Sequence, residues 1–400
     1  MKRLTILACL AVALLTLSPS PDFSATAAEP TAAKPNTLAP TELAEGWILL
    51  FDGETLFGWD KGSNANWNVA DGVISVSQGD KGLLSTTSEF GDYQLRVDFR
   101  HRQATNSGVF LRTPAHPKDP AKDCYELNIA DTTVSPFATG SFVNRQKATL
   151  VVYSDAWHSF DVMAQGGHFR VLLDGKEVLD YTDPTPLGRG RIGLQFNQGA
   201  VEFRNVKLKP LGLQSIFNGR DLAGWRVLPD KKSVFSVTPA GELNVKNGNG
   251  GLESDGKYGD FVLQLDVFSN GKGLNSGIFF RSIPGEFWMG YESQINNAMK
   301  DDDPSKPKDC GTGGFYRRQD ARRIVAKDFE WFHDTLIVSG NHMAGWINGY
   351  QVSDWTDTRE PNENPRKGAR VAAGTLQIQG HDPTTDLSFR NLKIAELPAR

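Results

Sequence analysis

Four hundred residues exceed one ordinary hydrophobic core, because single domains usually run to ~100–200 residues, so two domains are the starting expectation. A hydrophobic share of 39%, a charged share of 22% and 40 glycines describe a globular, turn-rich chain, which argues against wholesale disorder or a membrane-embedded body and favours β structure. The formal net charge of -4 is spread without a basic stripe, which argues against nucleic acid and anionic membrane surfaces as partners.

The chain opens with Lys2 and Arg3, an apolar run from Leu4 to Leu17 and small residues at Ala25-Thr26-Ala27. That is the pattern of a secretory signal, expected over residues 1–28. The run is shorter than the ~20 residues of a membrane span, and no later segment is apolar enough to span, so the mature chain is expected to be exported, periplasmic or secreted. Cys9 lies too early in the apolar run to serve as a lipid acceptor. A Pro/Ala/Thr-rich stretch from Glu29 to Pro40 marks a linker, assigned to residues 29–45.

From Gly46 the chain repeats itself. Leu50-Phe51-Asp52-Gly53, followed by Gly58-Trp59, returns as Ile216-Phe217-Asn218-Gly219 and Gly224-Trp225. Asn106-Ser107-Gly108-Val109-Phe110-Leu111-Arg112 returns as Asn275-Ser276-Gly277-Ile278-Phe279-Phe280-Arg281. Tyr125-Glu126, Asp174-Gly175 and Phe203-Arg204-Asn205 return, in the same order, as Tyr291-Glu292, Asn348-Gly349 and Phe389-Arg390-Asn391. The copies are assigned to residues 46–211 and 212–398. Tyr93-Gln94-Leu95-Arg96-Val97-Asp98-Phe99 alternates apolar and polar residues, as a half-buried strand does. Asp174-Gly175 and Asn348-Gly349 have the composition of tight hairpin turns. Each copy is therefore expected to be all-β, a sandwich or jelly roll with little helix. Removal of the signal leaves Cys124 and Cys310, in similar Lys-Asp-Cys strings; an interdomain disulfide and two free thiols are both open.

The Phe-Asp/Asn-Gly opening, the Asn-Ser-Gly-Val/Ile-Phe strand, the Tyr-Glu strand, the Asn-Gly hairpin and the closing Phe-Arg-Asn strand resemble the 3-keto-disaccharide hydrolase domain. The resemblance covers nearly all of the mature chain, twice. It implies two tandem concanavalin A-like jelly-roll sandwiches. It also implies hydrolysis of 3-keto-glycosides or 3-keto-disaccharides in bacterial carbohydrate breakdown outside the cytoplasm.

A lectin-like sandwich binds on its concave sheet, and strand alternation decides which side chains point there. In the second copy Glu292 and Gln294 share one face, Gly277, Phe279 and Arg281 line up, and Gln377 and Gln379 do the same. His381 and Asp382 follow at the strand end. Glu292, Arg281 and His381 are the expected catalytic residues. Gln294, Gln377, Gln379, Asp382, Arg318, Tyr316 and Trp346 are expected to bind substrate. The first copy retains Arg112, Glu126, Asn128 and Gln195 as a binding set, but Asn197-Gln198-Gly199 stands where Gln379-Gly380-His381-Asp382 stands. Many family members place a histidine before the Trp-x-Asn-Gly turn, where this chain has Gly345 and Val171. For the 3-keto sugar that the resemblance implies, the expected scheme has a base such as Glu292 or His381 remove the acidified proton on carbon 2 while Arg281 stabilises the oxygen on carbon 3; direct displacement by an activated water stays open beside it.

Two other classes compete with an enzyme: a carbohydrate-binding protein with two lectin-like modules, and an adhesive surface protein. A strand Arg and Glu also often form a mere structural ion pair, and His381 has a place as a turn-forming residue. The chain lacks the Glu-x-Asp-x-Glu strand of β-glucanase sandwiches, His-Glu-x-x-His, Gly-x-Ser-x-Gly and Cys-x-x-Cys. No metal or cofactor is called for, the expected partner is an oxidised disaccharide or glycoside, and nothing in the sequence indicates an oligomeric state.

Overall fold

The computed structural model describes Met1 and residues 34–130, 132–149 and 155–400. The expected signal, Cys9 and the first part of the expected linker lie outside the described residues. Helix among those described is confined to Pro40–Ala44 and Pro120–Asp123. Everything else regular is antiparallel β structure, in four sheets.

Each copy contributes one eight-stranded and one five-stranded sheet. In the second copy the smaller sheet runs Trp225–Val227, Gly250–Tyr258, Gly374–Gly380, Ser276–Ser282, Tyr291–Ile295 across its width, so Tyr291–Ile295 is an edge strand. The first copy repeats this order with Trp59–Lys61, Gly82–Thr86, Arg191–Phe196, Asn106–Thr113 and Tyr125–Ala130. Side chains of the two sheets meet in an apolar layer: Leu95, Val97 and Phe99 with Leu111 and Leu127 in the first copy, Leu263, Leu265 and Val267 with Ile278 and Leu376 in the second. The hairpin dipeptides do what their composition demands, with φ of 50° and 76° at Asp174-Gly175 and 50° and 75° at Asn348-Gly349. The architecture is a tandem pair of jelly-roll sandwiches.

The copies differ in one respect that sequence alternation does not show. Along Tyr93–His101 buried and half-exposed residues alternate, as in a sheet with one wet face. The corresponding Phe261–Ser269 is buried on both faces. The back of that sheet is covered by the first copy: Val262, Ile337, Ala344 and Trp346 join the first copy's core, and the Trp346 indole donates to Leu49 O at 2.9 Å. Polar ties surround this contact. Arg322 pairs with Asp52 at 2.8 Å and Arg189 bridges Glu89 and Asp260.

Residues 34–45, expected as linker, are tied to the first copy by polar contacts. Asn36 is buried and exchanges hydrogen bonds with Asn205, and Glu42 pairs with Arg96 and Lys207. Cys124 and Cys310 are both free, buried thiols. Their strings are not equivalent in the fold: Cys124 precedes the strand that starts at Tyr125, whereas Cys310 follows the matching strand that starts at Tyr291.

Candidate functional site

The site is built on the edge strand Tyr291–Ile295. Tyr291 and Ile295 enter the core, and the Tyr291 hydroxyl donates to Asp357 Oδ2 at 2.7 Å. Strict alternation then turns Glu292 and Gln294 to the opposite face, where they are only 6% and 1% exposed. On that face they line a pocket of about 370 Å³ with Asn275, Trp288, Met289, Asp309, Tyr316, Arg317, Arg366, Gln379 and His381. A larger cleft of about 680 Å³ lies between the copies around Leu211 and Gly212. Its walls include Phe90, Leu187, Leu208 and Val262, and its arginine, Arg112, already pairs with Asp92, so it offers less chemistry despite its size.

The pocket has two ends. At one, Arg366 donates to Glu292 Oε2 at 2.9 Å and to Trp288 O at 2.8 Å, and its guanidinium lies 5.4 Å from the Tyr316 ring. At the other, Asp309 Oδ2 accepts from Asn275 Nδ2 at 2.6 Å and from Gln294 Nε2 at 2.9 Å. His381 stands at the end of the Gly374–Gly380 strand. Its Nδ1 lies 2.9 Å from Asp382 Oδ2, while Asp382 Oδ1 accepts from Thr384 N at 2.8 Å and so is fixed in its turn.

Burial pushes the Glu292 carboxyl above the usual carboxylate range; the charge and hydrogen bond of Arg366, with the charge of His381, offset this only in part. Burial also raises Asp382, but hydrogen bonds from Thr384 and His381 outweigh it and hold that carboxyl low. One acid is thus biased towards its protonated form, the other towards a carboxylate that orients a histidine. The buried carbonyl oxygens of Gln294 and Gln379 lack a protein partner, although such groups are normally satisfied. Hydroxyl groups of a ligand would satisfy them.

Several residues expected at the site lie elsewhere. Arg281 is fully buried: it donates to the carbonyls of Gly259, Gly340 and Arg370 and pairs with Asp260 at 2.7 Å. The reason is a bulge between Phe279 and Ser282, with Arg281 at a φ of 48°, which breaks the alternation that would line it up with Gly277 and Phe279. Arg112 has the same bulged geometry and the same kind of partners: Asp92 and the carbonyls of Gly166 and Leu187. Trp346 is buried against the first copy and does not line the pocket. Gln377 bonds Glu253 and Glu286 O, beneath the loop next to the pocket. Arg318 donates to Arg366 O at 2.9 Å from behind, and its neighbour Arg317 takes the lining position.

In the first copy Glu126 faces Gln195, and burial pushes it up to about 7 with only that hydrogen bond opposing. Asn128 is occupied by its own loop, donating to Phe137 O and Ser135 Oγ.

Arg366, Asp309 and Asn275 escaped the sequence analysis. Arg366 belongs to a connection of sixteen residues between Asp357 and Gly374, where the first copy has six between Asp183 and Gly190. Comparing the two lengths would have drawn attention to it. Among the described residues, no group of three or more His, Cys, Asp or Glu side chains is placed to hold a metal ion, and no helix is long and apolar enough to cross a membrane.

Residues 46–209 and 212–395 each match the 3-keto-alpha-glucoside-1,2-lyase-like domain. The chain belongs to this family. A 3-keto-disaccharide hydrolase of Bacteroides thetaiotaomicron is 25% identical over 232 residues, covering 42% of this chain and 79% of that protein. A provisionally assigned glycosyl hydrolase of Parabacteroides distasonis, known by structure, is 23% identical with a TM-score of 0.40, over 44% of this chain and all of its own. The carbohydrate-binding module CBM66 of Bacillus subtilis is 17% identical with a TM-score of 0.29, over 38% of this chain and 94% of its own. The two matched segments are the two sandwiches.

Proposed function

We propose that the second domain cleaves glycosides whose sugar is oxidised at carbon 3, in an exported, periplasmic or secreted protein. The observation that carries this is the pairing, in one pocket, of a carboxyl biased towards its acid form, Glu292, with a histidine held by an ionised acid, His381 with Asp382. The family and the relative from Bacteroides thetaiotaomicron support the substrate class.

A carbonyl at carbon 3 makes the hydrogen on carbon 2 acidic. With Nδ1 held by Asp382, His381 has Nε2 free to take that proton. The electron pair moves into a carbon 1–carbon 2 double bond as the bond from carbon 1 to its oxygen breaks. Glu292, whose carboxyl burial biases towards the acid form, supplies the proton to the departing oxygen. Water then adds across the double bond and restores the 3-keto sugar. The guanidinium at this pocket is that of Arg366, not Arg281, and it orients Glu292 rather than stabilising the oxygen on carbon 3. The unpartnered oxygens of Gln294 and Gln379 receive hydroxyl groups of the sugar.

The test is release of aglycone from paired glycosides, native and 3-keto, by the purified chain. Cleavage of the 3-keto form alone supports the proposal. Binding of sugar without cleavage of either form would instead make the pocket that of a lectin.

A further inference from the structure

The end of the pocket away from Asp309 is aromatic, and neither the family match nor the acid chemistry accounts for it. Trp288 is among the few large hydrophobic side chains left exposed, at 37%, and it sits at the mouth of the pocket. Its ring stacks on Phe287 at 4.8 Å between centroids, and Tyr316 lines the same pocket.

This lip is rigidly held. Glu253 accepts from Gly285 N at 2.8 Å and from Thr375 Oγ1 at 2.8 Å, and Gln377 Nε2 donates to Glu286 O at 3.1 Å. From the other side Arg366 Nε donates to Trp288 O, and Asn364 Nδ2 lies 3.3 Å from Met289 Sδ. Trp288 itself keeps a φ of 70°, a backbone conformation that a bulky residue adopts only where its surroundings impose it. The first copy has a short helix, Pro120–Asp123, before its matching strand and only the six-residue connection after Asp183, so it builds no such lip. An exposed indole fixed at this cost is suited to contact with a flat apolar face.

We propose that Trp288 and Tyr316 form a leaving-group subsite for a ring with an apolar face, a second sugar or a cyclic alcohol, next to the acid that protonates the departing oxygen. The inference rests on the cleavage reaction proposed above and names the group that leaves. Arg366 links the two functions, since one guanidinium holds both the Trp288 backbone and the Glu292 carboxyl.

Cyclohexyl and methyl 3-keto-glucosides have leaving groups of similar basicity and differ in the ring, so the ratio of their kcat/KM values isolates the contact. The wild-type chain should favour the cyclohexyl substrate by roughly tenfold, Trp288→Ala should bring the ratio close to one, and Trp288→Phe should restore most of it. No ring preference in the wild type, or a ratio that Trp288→Ala leaves unchanged, overturns the inference. If the wild type cleaves neither substrate, the proposed reaction falls and the subsite is judged by calorimetry with the unoxidised glucosides. Tighter binding of cyclohexyl than methyl glucoside that is lost in Trp288→Ala upholds it; equal affinities sink it.

Discussion

At the level of single residues, three acids whose carboxyls are raised by burial do three different things. Glu292 is raised by burial and restrained by Arg366, so activity should fall as pH rises through its raised titration and the acid loses its proton. Arg366→Met removes the opposing charge and should move that descending limb to higher pH, a shift that a purely structural loss would not produce. Asp334 is a different case: it points into the second copy's core, both carboxyl oxygens lack partners, and burial raises it from an ordinary 3.8 to about 7. Phe160 stands at the matching place in the first copy, opposite Val97 as Asp334 is opposite Leu265. Because the folded state resists ionisation, stability is full below the ordinary value and is lost as pH rises towards about 7, by about 1.4 kcal/mol per unit. Asp334→Leu should flatten this dependence in urea unfolding between pH 4.5 and 7.5. An unchanged slope would show that another group carries it. Glu126, the third, has among the described residues only the Gln195 hydrogen bond to oppose its burial, and Glu126→Gln should leave cleavage nearly as it was.

At the level of elements, the sequence was most legible where period-two alternation runs unbroken. Glu292, Gln294 and Gln379 could be placed together because their strands are regular up to those positions. Arg281 could not, because a bulge changes the face a side chain meets and one sequence carries no signal for the bulge itself. The connection after Asp357 was invisible for another reason: repeat matching reports what two copies share, and this segment is what they do not. It nevertheless keeps the shared anchor. Arg370 N donates to the Tyr291 hydroxyl at 2.8 Å and Arg370 O accepts from Arg281, as Leu187 N donates to the Tyr125 hydroxyl at 3.1 Å and Leu187 O accepts from Arg112. Replacing residues 358–373 by the first copy's Pro184–Arg189 should therefore leave the sandwich folded. Arg318 would be free to pair with Asp357, as Arg145 pairs with Asp183 at 2.9 Å. Circular dichroism should stay native while cleavage falls, because the segment that holds Trp288 and orients Glu292 is gone. Collapse of the fold would show that the longer connection is structural.

At the level of the whole molecule, the two copies are unequal partners. The repeat and the jelly-roll class were readable because strand blocks recur in order, but the covered back of the second copy's large sheet was not, since Val262 reads as an ordinary strand residue and Trp346 as a substrate contact. Truncating a buried tryptophan typically costs about 3–5 kcal/mol, so Trp346→Ala should markedly lower the melting temperature while sparing the pocket, from which Trp346 is separate. The first copy thus supports the second, and the proposed chemistry belongs to the second. The most direct measurement is aglycone release from a 3-keto-glycoside by Glu292→Gln and Glu126→Gln, both checked for wild-type melting temperatures. Cleavage should fall by roughly 10²–10⁴-fold in Glu292→Gln and change little in Glu126→Gln; equal losses, or a loss confined to Glu126→Gln, would contradict catalysis by the second domain.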